Sequence, residues 1–408
     1  MFITDFALND FRSYSEVVLK FEPGVVVLIG ENGQGKTNLV EAIAYLATFS
    51  SHRVAADAAL VRQGAPAGVI RAKVVNGESE TMLELEVFSG RANRARINRG
   101  NVRPAEILGI VKAVVFAPED LELVKGDPGA RRRMLDELLI QLRPRYSATK
   151  NEYEKVLRQR AALLKTAAKT RRRGGIFDER SLDIWDQQLV KIGAQIIAAR
   201  AKNIARLRPF VADYYHQVSG GRGLARIDYD CNLDVRLGNE LPSAEQLIAD
   251  SEVWEEKVTA WEDQRTDVAR NEEDLLQALQ ENRQKEIERG VNLVGPHRDD
   301  IRLSLGSLPA KGYASHGESW SFALALRLGE WQLLRSHESG EWAQKEEPIL
   351  ILDDVFSELD GQRRARLAQI VKEGQQVFVT AAVAEDLPEE MTGTKWLVSN
   401  GKVTPWQN

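Results

Sequence analysis

Eight residues, GENGQGKT from Gly30 to Thr37, constrain this chain more than any other segment. They fit G-x-x-x-x-G-K-[S/T] at every fixed position, a pattern with physical content only between a strand and a helix. Both flanks qualify. VVVLI (residues 25–29) is continuously apolar and β-branched, which suits a strand covered on both faces of a mainly parallel sheet. In residues 38–49, Leu39, Val40, Ile43, Leu46 and Ala47 recur at helical spacing, so one face of the helix can pack back on that sheet. Gly30, Gly33 and Gly35 let backbone N–H groups turn inward around a phosphate, and the helix N-terminus adds partial positive charge. Lys36 supplies a mobile cation for the outer phosphates and the Thr37 hydroxyl a ligand for Mg²⁺. The loop, with Glu31, Asn32 and Gln34 between its fixed positions, therefore reads as an ATP site.

A second element suits the same chemistry. PILILDD (348–354) ends an apolar strand in two carboxylates, and nucleotide sites of parallel sheets open at the carboxyl ends of strands. Asp353 is placed to hold Mg²⁺ and Asp354 to accept the proton of an attacking water. Asp353 stands 317 positions after Lys36, a separation hard to fit in a compact kinase or small GTPase but natural where an insertion divides an ATPase. A third element, ASHGE (314–318), precedes a long apolar helix from Trp320 to Leu334. Ser315 and Gly317 there read either as an ordinary N-cap or as a further anion site. SELD (357–360) follows the paired acids.

At 408 residues the chain is too long for one ordinary domain, and between these elements its character changes. From Arg131 to Arg173 there are fourteen Lys or Arg against four Asp or Glu, on a background of helix formers; from 250 to 289 the balance reverses to six against thirteen. The basic run suits a duplex-binding surface or a solvated face pairing with the acidic stretch, and RANRARINRG (91–100) is a second basic surface, a hairpin. TMLELEVF (81–88) alternates like an antiparallel strand with one wet face. The expected architecture is α/β: a P-loop ATPase domain built from residues 1–127 and 291–408, with a mainly parallel core sheet and an antiparallel subdomain, split by a largely helical insertion over 128–290. One cysteine, Cys231, excludes an internal disulfide framework. No apolar run approaches membrane-spanning length and the first residues, MFITDFALND, lack a signal peptide's basic start, so a cytoplasmic location without membrane contact is expected.

In order along the chain, NDFRSY (9–14), GENGQGKTNLVEAI (30–43), VVFAPEDLELVKGDPGARRRMLD (114–136), GPHRDDI (295–301), YASHGE (313–318) and ILILDDVFSELD (349–360) resemble the ABC-type ATPase head of the SMC-like family, and within it the branch serving recombinational DNA repair. The resemblance implies that residues 30–37 bind ATP, that Thr37 and Asp353 hold Mg²⁺, and that Lys36 and Asp354 carry hydrolysis. Ser315 and Gly317 would approach the γ-phosphate of ATP held by a second subunit, making an ATP-dependent homodimer with SELD across its interface. It further implies a weak, DNA-stimulated ATPase of the DNA-damage response that binds gapped and double-stranded DNA and helps RecA loading with RecR and RecO. Three departures from the general pattern predict slow turnover: ASHGE replaces LSGGQ, Asp354 stands for a glutamate, and Thr380 stands where many relatives have histidine. An architectural SMC-type bridge is the first alternative. It would need long coiled-coil arms, and Pro144, RRRGG (171–175), Pro209 and Gly220-Gly221 are expected to break the heptads. The second, a nuclease, needs another acidic metal cluster, for which Asp299 and Asp300 are the one tempting pair.

Overall fold

The computed structural model describes residues 1–54, 56–238, 251–336, 347–389 and 391–406. Residue 250, at the start of the acidic stretch, lies outside them. The core is a six-stranded sheet in the order Lys402–Pro405, Thr394–Ser399, Gly24–Ile29, Gln376–Ala381, Ile349–Asp353 and Ala113–Phe116. All neighbours run parallel except the edge hairpin Thr394–Ser399/Lys402–Pro405.

Alternation along these strands explains their unbroken apolar character. Leu350, Leu352, Val377, Val379, Val114 and Phe116 point into one apolar cluster shared with the helices, around Phe322 and Trp331. Ile349, Ile351, Phe378, Val26 and Leu28 point into another, shared with the helix Lys36–Thr48 and a six-stranded antiparallel sheet. A strand buried on both faces cannot afford a polar alternation. The antiparallel sheet has the order Tyr14–Lys20, Phe2–Phe11, Ala67–Asn76, Ser79–Phe88, Arg94–Ile97, Gly100–Val102. In Ser79–Phe88, Leu83, Leu85 and Val87 are fully buried while Glu84 pairs with Arg71 and Arg96, the half-wet strand its alternation predicts. Residues 94–102 form the basic hairpin.

Between positions 128 and 290 the chain is mainly long helices: Pro128–Leu142, Tyr146–Arg172, Asp183–Ser219, Ser251–Thr266 and Val268–Arg289. Pro209 departs from the sequence expectation. It sits inside Asp183–Ser219, a single helix of 37 residues, and does not break it. An interior proline costs about 3 kcal/mol of helix stability; here Leu207 and Val211, on either side, are fully buried and hold the helix through that position. The chain then turns at Gly220, whose φ of 73° is left-handed. A three-stranded sheet, Leu308–Pro309, Asp300–Leu305 and Ala225–Asp230, ties the helical segment to the chain beyond residue 290.

Buried ion pairs make the same connection. Asp299 is 1% exposed and accepts from Arg200 at 3.2 Å, from the Asn232 N–H at 2.9 Å and from the Tyr229 hydroxyl. Asp300 receives both arms of Arg131 at 2.6 and 2.9 Å. GPHRDD is thus a polar joint, and its two aspartates are already committed to arginines. Within it the His297 ring meets the Tyr153 hydroxyl at 2.9 Å. Burial, helped by the charges of Arg298, Arg160 and Arg132, pushes His297 down to about 3. Between pH ~6.5 and ~3 the unfolded chain therefore binds a proton that the folded chain refuses. This stabilisation is complete above pH ~6.5 and declines on acidification by up to ~1.4 kcal/mol per pH unit. Urea unfolding at pH 7 and pH 5 is expected to show His297→Gln losing about 2 kcal/mol less than the wild type over that interval; equal losses would place the acid sensitivity elsewhere.

Candidate active site

The loop from Gly30 to Gly35 leaves the strand Gly24–Ile29 and enters the helix Lys36–Thr48. Gly33 and Gly35 have φ values of 82° and 113°, which a side chain disfavours. Gly30 is required for another reason: a Cβ there would stand 2.1 Å from the Val398 carbonyl oxygen on the neighbouring strand. Lys36 is 4% exposed and folds back over the loop, donating to the Gly30 carbonyl at 2.5 Å and the Glu31 carbonyl at 3.1 Å. Burial draws its ammonium below the ordinary lysine range, while Asp354 and Asp353 work in the opposite direction. Gln34 accepts from the Asn400 N–H at 2.7 Å, which fixes the loop against the edge hairpin.

Across 316 positions, the Thr37 hydroxyl donates to Asp353 at 3.1 Å. The same carboxylate oxygen accepts from Thr380 at 2.6 Å, and the Thr380 hydroxyl in turn accepts the Asp354 N–H at 2.9 Å. One hydroxyl on the adjacent parallel strand thus holds the Asp353 carboxylate and the Asp354 backbone. Asp354 has a φ of 57°, the left-handed region that aspartate tolerates better than most residues, and this bend separates its course from that of Asp353. Burial pushes Asp353 up; Thr380, His52 and Thr37 oppose the shift, and Asp354 adds to it. The loop, Thr37, Asp353 and Asp354 come together in one chain. Thr37 and Asp353 are hard oxygen donors side by side, a set that fits Mg²⁺ together with phosphate oxygens.

Two residues of this site were not singled out as ligands or orienters from sequence. Thr380 entered as a departure from a histidine, and its bridging role depends on the register Asp353↔Thr380 between two strands. His52 places Nε2 3.9 Å from the second Asp353 oxygen, and among the described residues neither ring nitrogen has a hydrogen-bond partner. No motif points to it; only the fold brings residue 52 to a strand end 301 positions later.

Ser315 and Gly317 lie elsewhere in the chain. Ser315 caps the helix His316–Arg335 by accepting from the Glu318 N–H at 3.3 Å, and Glu318 accepts the Ser315 N–H at 2.8 Å, a reciprocal capping box. Ser315 is nevertheless exposed. Its surroundings are not the phosphate loop: His316 meets Lys125 at 3.5 Å, and a Cβ on Gly317 would stand 2.9 Å from the Arg363 guanidinium. Arg363 pairs at 2.7 Å with Asp360 of SELD, which caps the helix Gly361–Val371. FAPEDL is tied to the helix that Ser315 caps. Asp120, just past the strand Ala113–Phe116, accepts Arg327 of the helix His316–Arg335 at 2.6 Å, and Arg327 also holds Glu330 at 2.8 Å. Burial lifts Glu330 to about 7 in spite of that arginine.

The basic run divides. Arg131 is held by Asp300, Arg132 by the Asp299 carbonyl at 2.7 Å, and Arg160, fully buried, by Asp186, Glu286 and Asn292 at 2.5, 2.6 and 2.7 Å. These three are structural, and Glu286 comes from the acidic stretch. Pairing of the two stretches accounts for part of the run, and most of the remainder is exposed. No group of three or more His, Cys, Asp or Glu able to hold a metal ion occurs among the described residues, and none of their helices is long and apolar enough to cross a membrane.

Residues 2–400 match the model of the RecF/RecN/SMC N-terminal domain. The chain is 53% identical over 407 residues to the DNA replication and repair protein RecF of Beutenbergia cavernae, and 50% identical over 404 residues to that of Frankia alni, covering 99% of both chains in each comparison. Among solved structures it is similar to the recombination mediator protein RecF-ATPrS in the RecFOR pathway, with a TM-score of 0.82 at 26% identity, covering 100% of this chain and 98% of that one. The RecF-ATP structure of the same pathway gives 0.80 at 25% identity, with 99% of each chain covered. A Smc head bound to the C-winged helix domain of ScpA, 16% identical with a TM-score of 0.52, shares the fold.

Proposed function

The chain belongs to the RecF/RecN/SMC N-terminal domain family, and from that premise we propose that it is an ATP-dependent DNA-binding protein of recombinational repair whose slow ATPase times a dimeric clamp. The observation that carries the reading is the division of the ATP machinery. Loop, lysine, threonine and paired acids meet in one place, whereas Ser315 and Gly317 present an exposed helix N-terminus beside Arg363. A helix N-terminus is a ready anion site, and here a second copy's nucleotide is the anion that completes it.

In this reading the N–H groups of 30–37 hold the phosphates and Lys36 exchanges its carbonyl partners for the outer phosphate oxygens. Thr37 and Asp353 would hold Mg²⁺, which neutralises phosphate charge when bound. Asp354 takes the proton of the attacking water, and Thr380 keeps the Asp353 carboxylate aimed and the Asp354 backbone in place. Residues 1–127 and 291–408 form the head and 128–290 the helical insertion. Action at single-/double-strand junctions of gaps, with RecR and RecO and in aid of RecA loading, belongs to the same proposal, supported by full-length similarity to RecF proteins. The joint role of Asp299 and Asp300 argues against the nuclease alternative.

Sedimentation velocity with and without ATP·Mg²⁺ and gapped duplex tests it. The wild type is expected to sediment as a dimer with both and as a monomer with neither; Lys36→Arg should retain ATP binding better than hydrolysis. A wild type that stays monomeric with ATP bound would remove the trans role of Ser315.

A further inference from the structure

The cations left over from the buried pairs are not scattered. Lys165, Lys169, Arg172, Arg173 and Arg289 line one open cleft of about 470 Å³ together with Ala168, Gly290 and Val291. No carboxylate lines it. Lys165, Lys169 and Arg172 follow one face of the helix Tyr146–Arg172, and Arg289 closes the helix Val268–Arg289. Gly290 ends the second helix in the left-handed region, at φ 69°, and sits against Ala168 and the Lys165 backbone, so the two helix ends lie side by side. Their neighbour Arg171 is engaged, by Glu179 at 2.6 Å and Gln284 at 2.8 Å. Among the described residues the five in the cleft have no such carboxylate partner.

Basic residues at helix C-termini commonly answer the macrodipole, but two C-termini present only about −0.5 charge each. That accounts for about one of the five cations. The row from Lys165 to Arg172 is about 10 Å long, a length over which a duplex presents about six phosphates. The apolar lining, Ala168, Gly290 and Val291, is too slight to receive the large anchor on which a protein interface depends. The large apolar residue nearby, Ile176, is 99% exposed and is not part of the lining.

We propose that this cleft is a binding site for the phosphate backbone of duplex DNA, carried by the helical insertion and reading charge rather than sequence. It rests on the DNA-binding reading above and places part of that contact on Lys165, Lys169, Arg172, Arg173 and Arg289. Arg131, Arg132 and Arg160 are excluded from it by the partners that already hold them.

The test is the salt dependence of binding to a 30-bp duplex by full-length protein with ATP·Mg²⁺, by fluorescence anisotropy in 50–200 mM KCl. Each phosphate contact contributes about 0.9 to the slope of log affinity against log salt. Lys165→Ala/Lys169→Ala/Arg172→Ala is expected to lower the slope by about 3, so that its affinity deficit at 50 mM exceeds that at 200 mM by about 40-fold. Lys150→Ala/Arg158→Ala, on the same helix but both beside Glu154, should leave the slope unchanged. A triple variant with the wild-type slope overturns the site, and if that variant loses binding to poly-glutamate instead, the cleft serves an acidic protein. A wild type that binds no duplex fails earlier, at the DNA reading itself. All three replaced side chains are exposed, so an unchanged melting temperature is expected to accompany the result.

Discussion

Asp354→Asn is expected to slow ATP turnover by about 10²–10³-fold while the ATP-bound dimer persists, because removal of a general base typically forfeits 10²–10⁴ in rate without touching ground-state binding. Asparagine keeps the backbone bend at φ 57°, which it tolerates as well as aspartate, and keeps the N–H that the Thr380 hydroxyl accepts. The variant should therefore leave Asp353 aimed at Thr37. The complementary change is Ser315→Arg. Ser315 lies outside the loop, so ATP binding to the monomer should be intact, but a guanidinium on the exposed cap would block approach of the partner's phosphate and remove the capping bond to Glu318, worth about 1 kcal/mol. Sedimentation with ATP and gapped DNA separates the two: dimer retained with Asp354→Asn, lost with Ser315→Arg. Steady-state phosphate release reads the rate. If Asp354→Asn turns over at the wild-type rate, the proton acceptor lies elsewhere, and His52, 3.9 Å from Asp353, becomes the group to replace next.

The parts of this site that could be read along the chain are those whose chemistry is local. A glycine-rich loop between an apolar strand and an amphipathic helix announces itself within 25 residues, and a strand ending in two acids does so within seven. The parallel sheet followed from continuous apolar runs that need cover on both faces, and it receives that cover from two separate clusters. What escaped were pairings set by register and by which polar group meets which. Thr380 reaches Asp353 only because their strands align residue for residue, and His52 arrives by the path of the chain after the phosphate-loop helix. Pro209 misled because propensity is a weak prior against buried neighbours on both sides. The basic run was a sum of charges in which Arg131 and Arg160, invisible as individuals, belong to the interior.

That last distinction predicts a large loss of stability. Arg160 is fully buried, with its guanidinium shared by Asp186, Glu286 and Asn292. Arg160→Met is expected to destabilise the protein by about 3–5 kcal/mol, since breaking a buried pair strands the partner charges in low dielectric. The penalty has two sources of relief. Asp186 also accepts from Arg283, and Glu286 also accepts the Leu293 N–H at 2.7 Å, so Glu286 is the carboxylate left without a cation. Neutralising it in Arg160→Met/Glu286→Gln should return a substantial part of the loss, because the unpaired charge and not the missing contact dominates the cost. Urea unfolding of the wild type, single and double variants measures this directly. Equal stabilities for the single and double variants would assign the loss to packing of the arginine stem. In DNA titrations at a temperature where Arg160→Met remains folded, the salt slope should match the wild type; a lower slope would place Arg160 on the surface and contradict its burial.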